Sequence, residues 1–165
     1  SRGNGFFIQE RVGLNQRHFK ILKIKTMRPD SFPQSNITIS NDPRITFFGR
    51  FFRATKIDEL PQLFNVLVGN MSFVGPRPDV PGYVDKLEDQ GRIISSIRPG
   101  ITGPATLAFR NEENLLSLQT DPETYNRDII YPKKVLINVE YIKNWSVLGD
   151  IKYIAQTVLF IFYKN

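Results

Sequence analysis

The chain has 165 residues, 22 Lys and Arg against 16 Asp and Glu, and a net charge of +6. It has no Cys and one His, His18, which excludes a disulfide scaffold, Cys-ligated zinc and any two-histidine mechanism. No apolar run reaches the length of about 18 residues that a spanning helix needs, and a hydrophobic content of 41% excludes a disordered chain.

The positive excess is confined to the first third. Residues 1–56 carry 11 basic and 3 acidic side chains, a net of +8, and residues 57–165 a net of −2. That asymmetry predicts a surface built to meet anions: phosphates, nucleic acid or an acidic membrane. The first Met is Met27, and with Ser1 at the start the sequence is expected to be a piece of a longer chain, cut on its N-terminal side.

Residues 6–12 and 19–27 read as two strands of a β-hairpin, with Gly13-Leu14-Asn15-Gln16 as the turn. Residues 28–43 hold Pro29, Pro33 and Pro43 and read as a loop. Over 44–53, Phe47, Phe48, Phe51 and Phe52 share one face of a short helix, flanked by Arg44, Arg50 and Arg53. Two of these phenylalanines are expected in the core. Four exceed what a short helix buries, so the face suits single-stranded nucleic acid or a membrane interface.

Leu60, Leu63, Phe64 and Leu67 extend a helix over 55–69, with Pro61 in its first turn and Gly69 at its end. Asp58 then falls at or next to the N-cap. Residues 71–74 suggest a short strand, and Gly75-Pro76-Arg77-Pro78 a stiff loop. Residues 79–97 look mostly helical, and 98–104 form a second stiff loop. Residues 112–143 are helical stretches broken by Pro122 and Pro132. Over 147–163 an amphipathic helix carries Ile151, Ile154, Ala155, Val158, Leu159 and Phe162 on one stripe, and its apolar end is either buried or set in a membrane interface. These elements predict a small α+β fold, a single domain over 1–165, with an N-terminal hairpin packed on helices and amphipathic helices whose apolar faces suit a membrane interface.

The Asp58-Glu59 pair at a helix start admits two readings. It can be an N-cap with a dipole-complementary Glu. Alternatively, with Arg53 and Lys56 just upstream and free helical N–H groups nearby, it can sit against a phosphate ester, as a nucleophile or as a holder of Mg²⁺. Arg77 and Arg98 each stand beside Pro in a Gly-containing loop, as surface charges or as forks for a phosphate. His18 has no partner motif and reads as structural or surface.

At Asp58-Glu59-Leu60-Pro61-Gln62-Leu63 the sequence resembles the bacterial sugar transferases, the monotopic phosphoglycosyl transferases. The resemblance runs in order through nearly the whole chain. Phe6 to Asn15 is similar to the family's opening strand. Lys23-Ile24-Lys25-Thr26-Met27 is similar to its basic strand, with Lys25 where Arg is usual. Residues 45–53 resemble the helix that leads to the active site. Asn65-Val66-Leu67 and Met71 to Pro78 resemble the central signature, Arg98 to Gly103 the next, and Tyr141 to Ser146 with Asp150-Ile151-Lys152 the last.

The resemblance implies transfer of a sugar-1-phosphate from a nucleotide-diphosphate sugar, usually a UDP-sugar, to a polyprenol phosphate such as undecaprenyl phosphate, with release of UMP. It implies Asp58 as the nucleophile, forming an aspartyl-phosphosugar, Glu59 as its dyad partner, and Mg²⁺ as cofactor, with Asp58 as a metal ligand. Arg77, Pro78, Arg98, Thr102, Gly103, Arg53 and Lys56 become the candidate substrate-binding residues. The expected place is the cytoplasmic face of the bacterial inner membrane, and no nucleic-acid partner is expected. The family's re-entrant membrane helix is expected upstream of Ser1, so the present chain can be soluble or peripheral. Two departures stand out. Asn138 occupies a position where many members carry Asp, and Gly103-Pro104-Ala105-Thr106-Leu107 differs from the commoner glycine–tryptophan–alanine run. Competing readings are an inactive membrane-surface scaffold of the same fold, a basic nucleic-acid-binding module, and a soluble enzyme of nucleotide-sugar metabolism.

Overall fold

The structure is a computed structural model that describes residues 5–28, 38–39 and 42–162, with the backbone only at 161 and 162. Strands β1 (Phe6–Val12) and β2 (His18–Ile24) pair antiparallel, from Phe6 opposite Ile24 to Val12 opposite His18. The hairpin turn is wider than a two-residue type. Asn15 and Gln16 take φ of 51° and 61°, and Gly13 N–H closes the loop on Arg17 O at 2.9 Å. Most of the loop expected over 28–43 lies outside the described residues. Its last part is fixed by Asp42, whose carboxylate accepts from the Arg44 backbone N–H at 2.9 Å and from its guanidinium.

Helix α1 (Phe47–Ala54) starts at Thr46, whose hydroxyl accepts from Gly49 N–H at 2.9 Å while its own N–H donates to Thr26 O at 2.9 Å. One residue thus caps the helix and ties it to the chain just past β2. Lys56 then adopts a left-handed conformation (φ 59°) and turns the chain into a 3-10 segment, Ile57–Gln62, followed by α2 (Leu63–Leu67). The single helix expected over 55–69 is therefore two short pieces, because Pro61 has no N–H to carry an α-helical ladder across the junction. Lys56, not Asp58, stands at the N-cap, and Asp58 makes no capping bond.

Strands β3 (Ser72–Val74) and β4 (Gly100–Thr102) pair in parallel, Ser72 opposite Gly100 and Val74 opposite Thr102. The stiff loop expected over 98–104 is thus partly a strand, formed because β3 supplies a partner that local sequence does not reveal. The backbones approach so closely that a Cβ on Gly100 would lie 2.2 Å from Gly75 N. Between the two strands, the helix expected over 79–97 is only two 3-10 pieces, Val84–Lys86 and Asp89–Ser96. Pro81-Gly82 precedes them and Asp89 sits at φ 48°, so no continuous ladder forms.

After α3 (Pro104–Ala108) and α4 (Glu112–Ser117), α5 (Pro122–Tyr125) continues through a π-helical turn, Asn126–Ile130, into α6 (Tyr131–Lys143). Pro132 was expected to break this stretch. The wider π turn before it absorbs the missing N–H instead. The core gathers Val12, Val84, Ile94 and Val139, packed by Leu87, Ile93, Val135 and Ile142. The end of β1, the 3-10 pieces and α6 are its walls. Helix α7 (Val147–Phe162) packs through Tyr153, T-shaped on Tyr141, and Thr157, whose hydroxyl meets that of Thr102 at 2.6 Å.

Several helical segments are inverted. Along 57–67, Asp58, Glu59, Gln62 and Asn65 are buried while Leu60, Leu63, Phe64 and Leu67 are exposed. On α1, Phe47, Phe48 and Phe51 are exposed, Phe47 by 85%, and Phe52 is half-buried, so the expected pair of core phenylalanines reduces to one partial contributor. On α7 the predicted stripe of Ile151, Ile154, Val158 and Leu159 faces outward. The Phe162 side chain lies outside the described residues.

Candidate active site

The polar flank of the 3-10 segment packs on β2. There Glu59 meets two cations from distant parts of the chain. Lys23 on β2 places Nζ 3.3 Å from Glu59 Oε1. Arg77, in the loop after β3, places Nη1 3.4 Å from Oε2 and Nη2 on Oε1. Burial works against the Glu59 anion, but Arg77, Lys23 and Lys56 outweigh it and hold the carboxyl well below its usual range. Glu59 in turn raises the Arg77 pKa. Lys23 goes the other way: burial, then Arg77, bring its ammonium down to about 8, against the pull of Glu59.

Asp58, 6% exposed, is treated differently. Its Oδ1 is buried with no hydrogen-bond partner. Burial, then the neighbouring Glu59 charge, raise its pKa, against weaker pulls from Lys23, Lys56 and Arg53. Two adjacent carboxylates are thus held apart in character. One is neutralised by ion pairs, and the other keeps its lone pairs uncommitted in a cationic field. Such a group can attack phosphorus or bind a cation.

Behind Arg77 lies a second polar layer. Arg11 Nη1 donates to Pro78 O at 3.0 Å, and Val12 N–H to Asp79 O at 2.9 Å. Burial pushes Asp79 up to about 6, and the Tyr131 hydroxyl donates to its Oδ2 at 3.2 Å. On α4, Glu112 accepts from Lys134 at 2.6 Å, and Glu113 pairs with Arg53.

The structure brings Asp58, Glu59, Arg77, Lys56 and Arg53 into one electrostatic neighbourhood. The other sequence-derived candidates stand in packing positions. Pro78 is buried and lends its carbonyl to Arg11. Exposed Arg98 braces the Gly69 carbonyl through Nε at 2.7 Å. Thr102 joins β4 to α7, and a Cβ on Gly103 would lie 2.4 Å from Gly75 O. Asn138 is buried on α6 with Oδ1 unpartnered, and no hydrogen bond links it to the dyad. His18 lies on the surface, 3.4 Å from Glu10.

Lys23, Asp79, Glu112 and Glu113 were not singled out in the sequence. For Lys23 a signal exists. Strand alternation puts it on the same face as Ile21, which is fully buried, and an inward-facing lysine calls for an anion. For the other three, nothing local announces a partner.

Among the described residues, no group of three or more His, Cys, Asp or Glu side chains converges on one point. Mg²⁺ needs less, since one or two carboxylates plus substrate phosphate oxygens suffice. Both Glu59 oxygens already accept from cations, whereas Asp58 accepts from none. Asp58 is therefore the carboxylate whose hard oxygens fit that ion.

The family model described as bacterial sugar transferase matches residues 1–164. The chain belongs to that family. It is 37% identical over 166 residues to an undecaprenyl-phosphate glucose phosphotransferase of Komagataeibacter xylinus, covering 96% of this chain and 29% of the relative. It is 38% identical over 165 residues to the UDP-glucose:undecaprenyl-phosphate glucose-1-phosphate transferase of Xanthomonas campestris pv. campestris, covering 96% and 32%. It is 31% identical over 172 residues to the exopolysaccharide production protein ExoY of Rhizobium meliloti strain 1021, covering 94% and 69%. The chain thus spans about a third of the two longer relatives. Among the described residues no helix is long and apolar enough to cross a membrane.

Proposed function

We propose that this chain is the catalytic domain of a phosphoglycosyl transferase that moves a sugar-1-phosphate from a nucleotide-diphosphate sugar to a polyprenol phosphate, as an early membrane step of exopolysaccharide or capsule assembly. The observation that carries this reading is the unequal pair, with Asp58 uncommitted beside a fully neutralised Glu59. Family membership and the relatives' names supply the substrate class.

In the proposed reaction an Asp58 oxygen attacks the β-phosphorus of the donor. The bond from that phosphorus to the bridging oxygen breaks, and UMP leaves with the electron pair when the donor is a UDP-sugar. A lipid phosphate oxygen then attacks the same phosphorus and the Asp58 carboxylate is released. Glu59 does not attack, because its charge is spent on Lys23 and Arg77. Lys56, which the salt bridges among the described residues leave out, adds positive potential where a dianionic donor must approach an anion. Asp58 would be the residue to hold Mg²⁺, and the chemistry the ion would supply there is screening of that repulsion and polarisation of the phosphoryl group.

The outward apolar faces of α1, the 57–67 segment and α7 support a membrane interface as the place of reaction. A segment with its carboxylates inside and its leucines outside is suited to a low-dielectric surface beyond it. The same cations weaken the nucleic-acid alternative, since Lys23, Arg53 and Arg77 are already paired with carboxylates.

The test is mass spectrometry after incubation with a panel of UDP-sugars, first without lipid acceptor. The peptide carrying Asp58 is expected to gain one sugar phosphate and to lose it when undecaprenyl phosphate is added. Asp58→Asn is expected to abolish both the adduct and UMP release. An active Asp58→Asn protein would remove Asp58 as the nucleophile.

A further inference from the structure

The buried flank of the 57–67 segment leaves one side chain without a task. Glu59 is held by Lys23 and Arg77. Asn65 donates its amide to Lys20 O on β2 at 2.8 Å. Asp58 is the candidate nucleophile. Gln62, between them and only 3% exposed, has its Nε2 buried and donates to nothing. A leucine or methionine would fill that space without desolvating an amide, so an unpaired buried donor calls for an acceptor.

Two acceptors of the right kind lie on the same flank. Asp58 Oδ1, four residues before Gln62, and Asn65 Oδ1, three residues after it, are also buried without partners. Asn65 lies about one turn beyond Gln62, and Asp58, in the same 3-10 segment as Gln62, is buried with both of them on the side that packs on β2. The Gln amide nitrogen carries two N–H groups, one for each oxygen. Its side chain has enough rotatable bonds to bring that nitrogen between them. The anchor already exists, because Asn65 is fastened to the β2 backbone.

We propose that Gln62 is the positioning residue of the nucleophile, its amide bridging Asn65 Oδ1 and Asp58 Oδ1 so that the other Asp58 oxygen is aimed at the donor phosphorus. The proposal rests on the phosphoglycosyl transfer reading for its consequence, but not for its geometry. A neutral donor is the apt choice. The lysine–arginine pair on Glu59 spends that carboxylate's charge, whereas an amide fixes one oxygen and leaves the charge for attack. Adjacent carboxylates thus acquire different roles from different donors: two cations for Glu59 and one amide for Asp58.

Two measurements test this on the full chain. The first needs no substrate. The Gln62 side-chain amide protons, assigned in ¹⁵N-labelled protein by their loss in Gln62→Met, are expected to exchange with solvent at least about tenfold more slowly than those of a free glutamine amide. Asp58→Ala is expected to remove protection from one of the two protons, and Asn65→Ala from the other. Unprotected protons, or protection indifferent to Asp58→Ala, would overturn the proposal. The second uses whichever UDP-sugar the wild-type chain turns over. Gln62→Met is expected to lower kcat about tenfold or more with KM changed less than about threefold, and to slow adduct formation equally. A folded Gln62→Met protein with kcat within about twofold of wild type would also overturn it. If wild type turns over no donor, the transfer reading fails while the exchange experiment still decides the geometry. If Gln62→Met does not fold, exchange in wild type and Asp58→Ala decides it.

Discussion

Arg77 and Glu59 are 18 residues apart in the chain, yet the two nitrogens of the Arg77 fork address both oxygens of the Glu59 carboxylate. Such a fork-to-carboxylate pair fixes orientation as well as charge. It also pins the loop after β3 to the 3-10 segment that carries the dyad. Arg77→Ala leaves a buried carboxylate with Lys23 alone. The expected cost is about 2–4 kcal/mol, the usual penalty for breaking a buried pair discounted for partial exposure of Arg77. Arg77→Lys keeps the charge and loses the fork, so a smaller loss is expected. Urea denaturation checks both, and equal stability of all three proteins would mean that the pair is incidental.

Lys23 is expected to make turnover sensitive to alkaline pH. Its folded pKa, brought down to about 8 by burial and by Arg77, lies below the ordinary lysine value of 10.5. As pH rises through about 8 the ammonium is lost and Glu59 keeps only Arg77 and Lys56. Donor turnover is therefore expected to fall between about pH 7.5 and 9. Stability linked to Lys23 alone moves the other way, increasing from about pH 8 to 10.5, because the unfolded chain binds that proton more tightly. Lys23→Arg, charged throughout, is expected to lose the alkaline limb even if its maximal rate is lower. Rate profiles from pH 6.5 to 9.5 that fall alike in both proteins would assign the limb to another group.

Asp79 gives the fold an acid-side response. Burial raises its carboxyl from 3.8 to about 6. The folded state therefore binds this proton more tightly than the unfolded chain, and Asp79 protonation adds stability as pH falls from about 6 to about 4. Above pH 6 the charge is a net cost. Asp79→Asn removes that charge and can still accept from the Tyr131 hydroxyl. It is expected to be more stable than wild type by about 1–3 kcal/mol at pH 7.5 and about equal at pH 4. Denaturation at the two pH values checks this, and a destabilised Asp79→Asn protein at pH 7.5 would show that the anion is needed.

The outward apolar side chains give a membrane prediction. Phe47 and Leu67, 85% and 84% exposed, bury almost nothing within the chain. Replacing both by Asp is expected to leave the unfolding temperature nearly unchanged. It is also expected to weaken flotation with anionic liposomes by about tenfold or more. Unchanged flotation would exclude these faces from the membrane contact, and equal wild-type binding to neutral vesicles would remove the electrostatic part of the attraction.

Much of the architecture was legible because it is local. Alternation in 6–12 and 19–24 carries the hairpin, and phenylalanine spacing carries α1. The apolar periodicity of 60–67 was equally clear, but periodicity reports that a segment has two faces and not which one turns inward. Leu60, Leu63 and Phe64 face out because the opposite flank carries groups that satisfy Lys23, Arg77 and the Lys20 carbonyl. The β3–β4 pairing was invisible for another reason. Three-residue strands separated by a long crossover depend on the near-contact of Gly75 and Gly100, a distance no window of sequence contains.

By itself the sequence determined the adjacency of Asp58 and Glu59, the cations just ahead of them, the Phe-rich helix leading in, and the order of motifs that marks the family. The tertiary structure alone decided that the two carboxylates differ. Lys23 and Arg77 arrive from 36 residues before and 18 residues after Glu59, and both reach Glu59 without hydrogen-bonding Asp58. Charge coupling and desolvation depend on distance through space and on what lies between the charges. Two neighbours in the chain can therefore have their acidities shifted in opposite directions by how β2 and the loop after β3 pack around them.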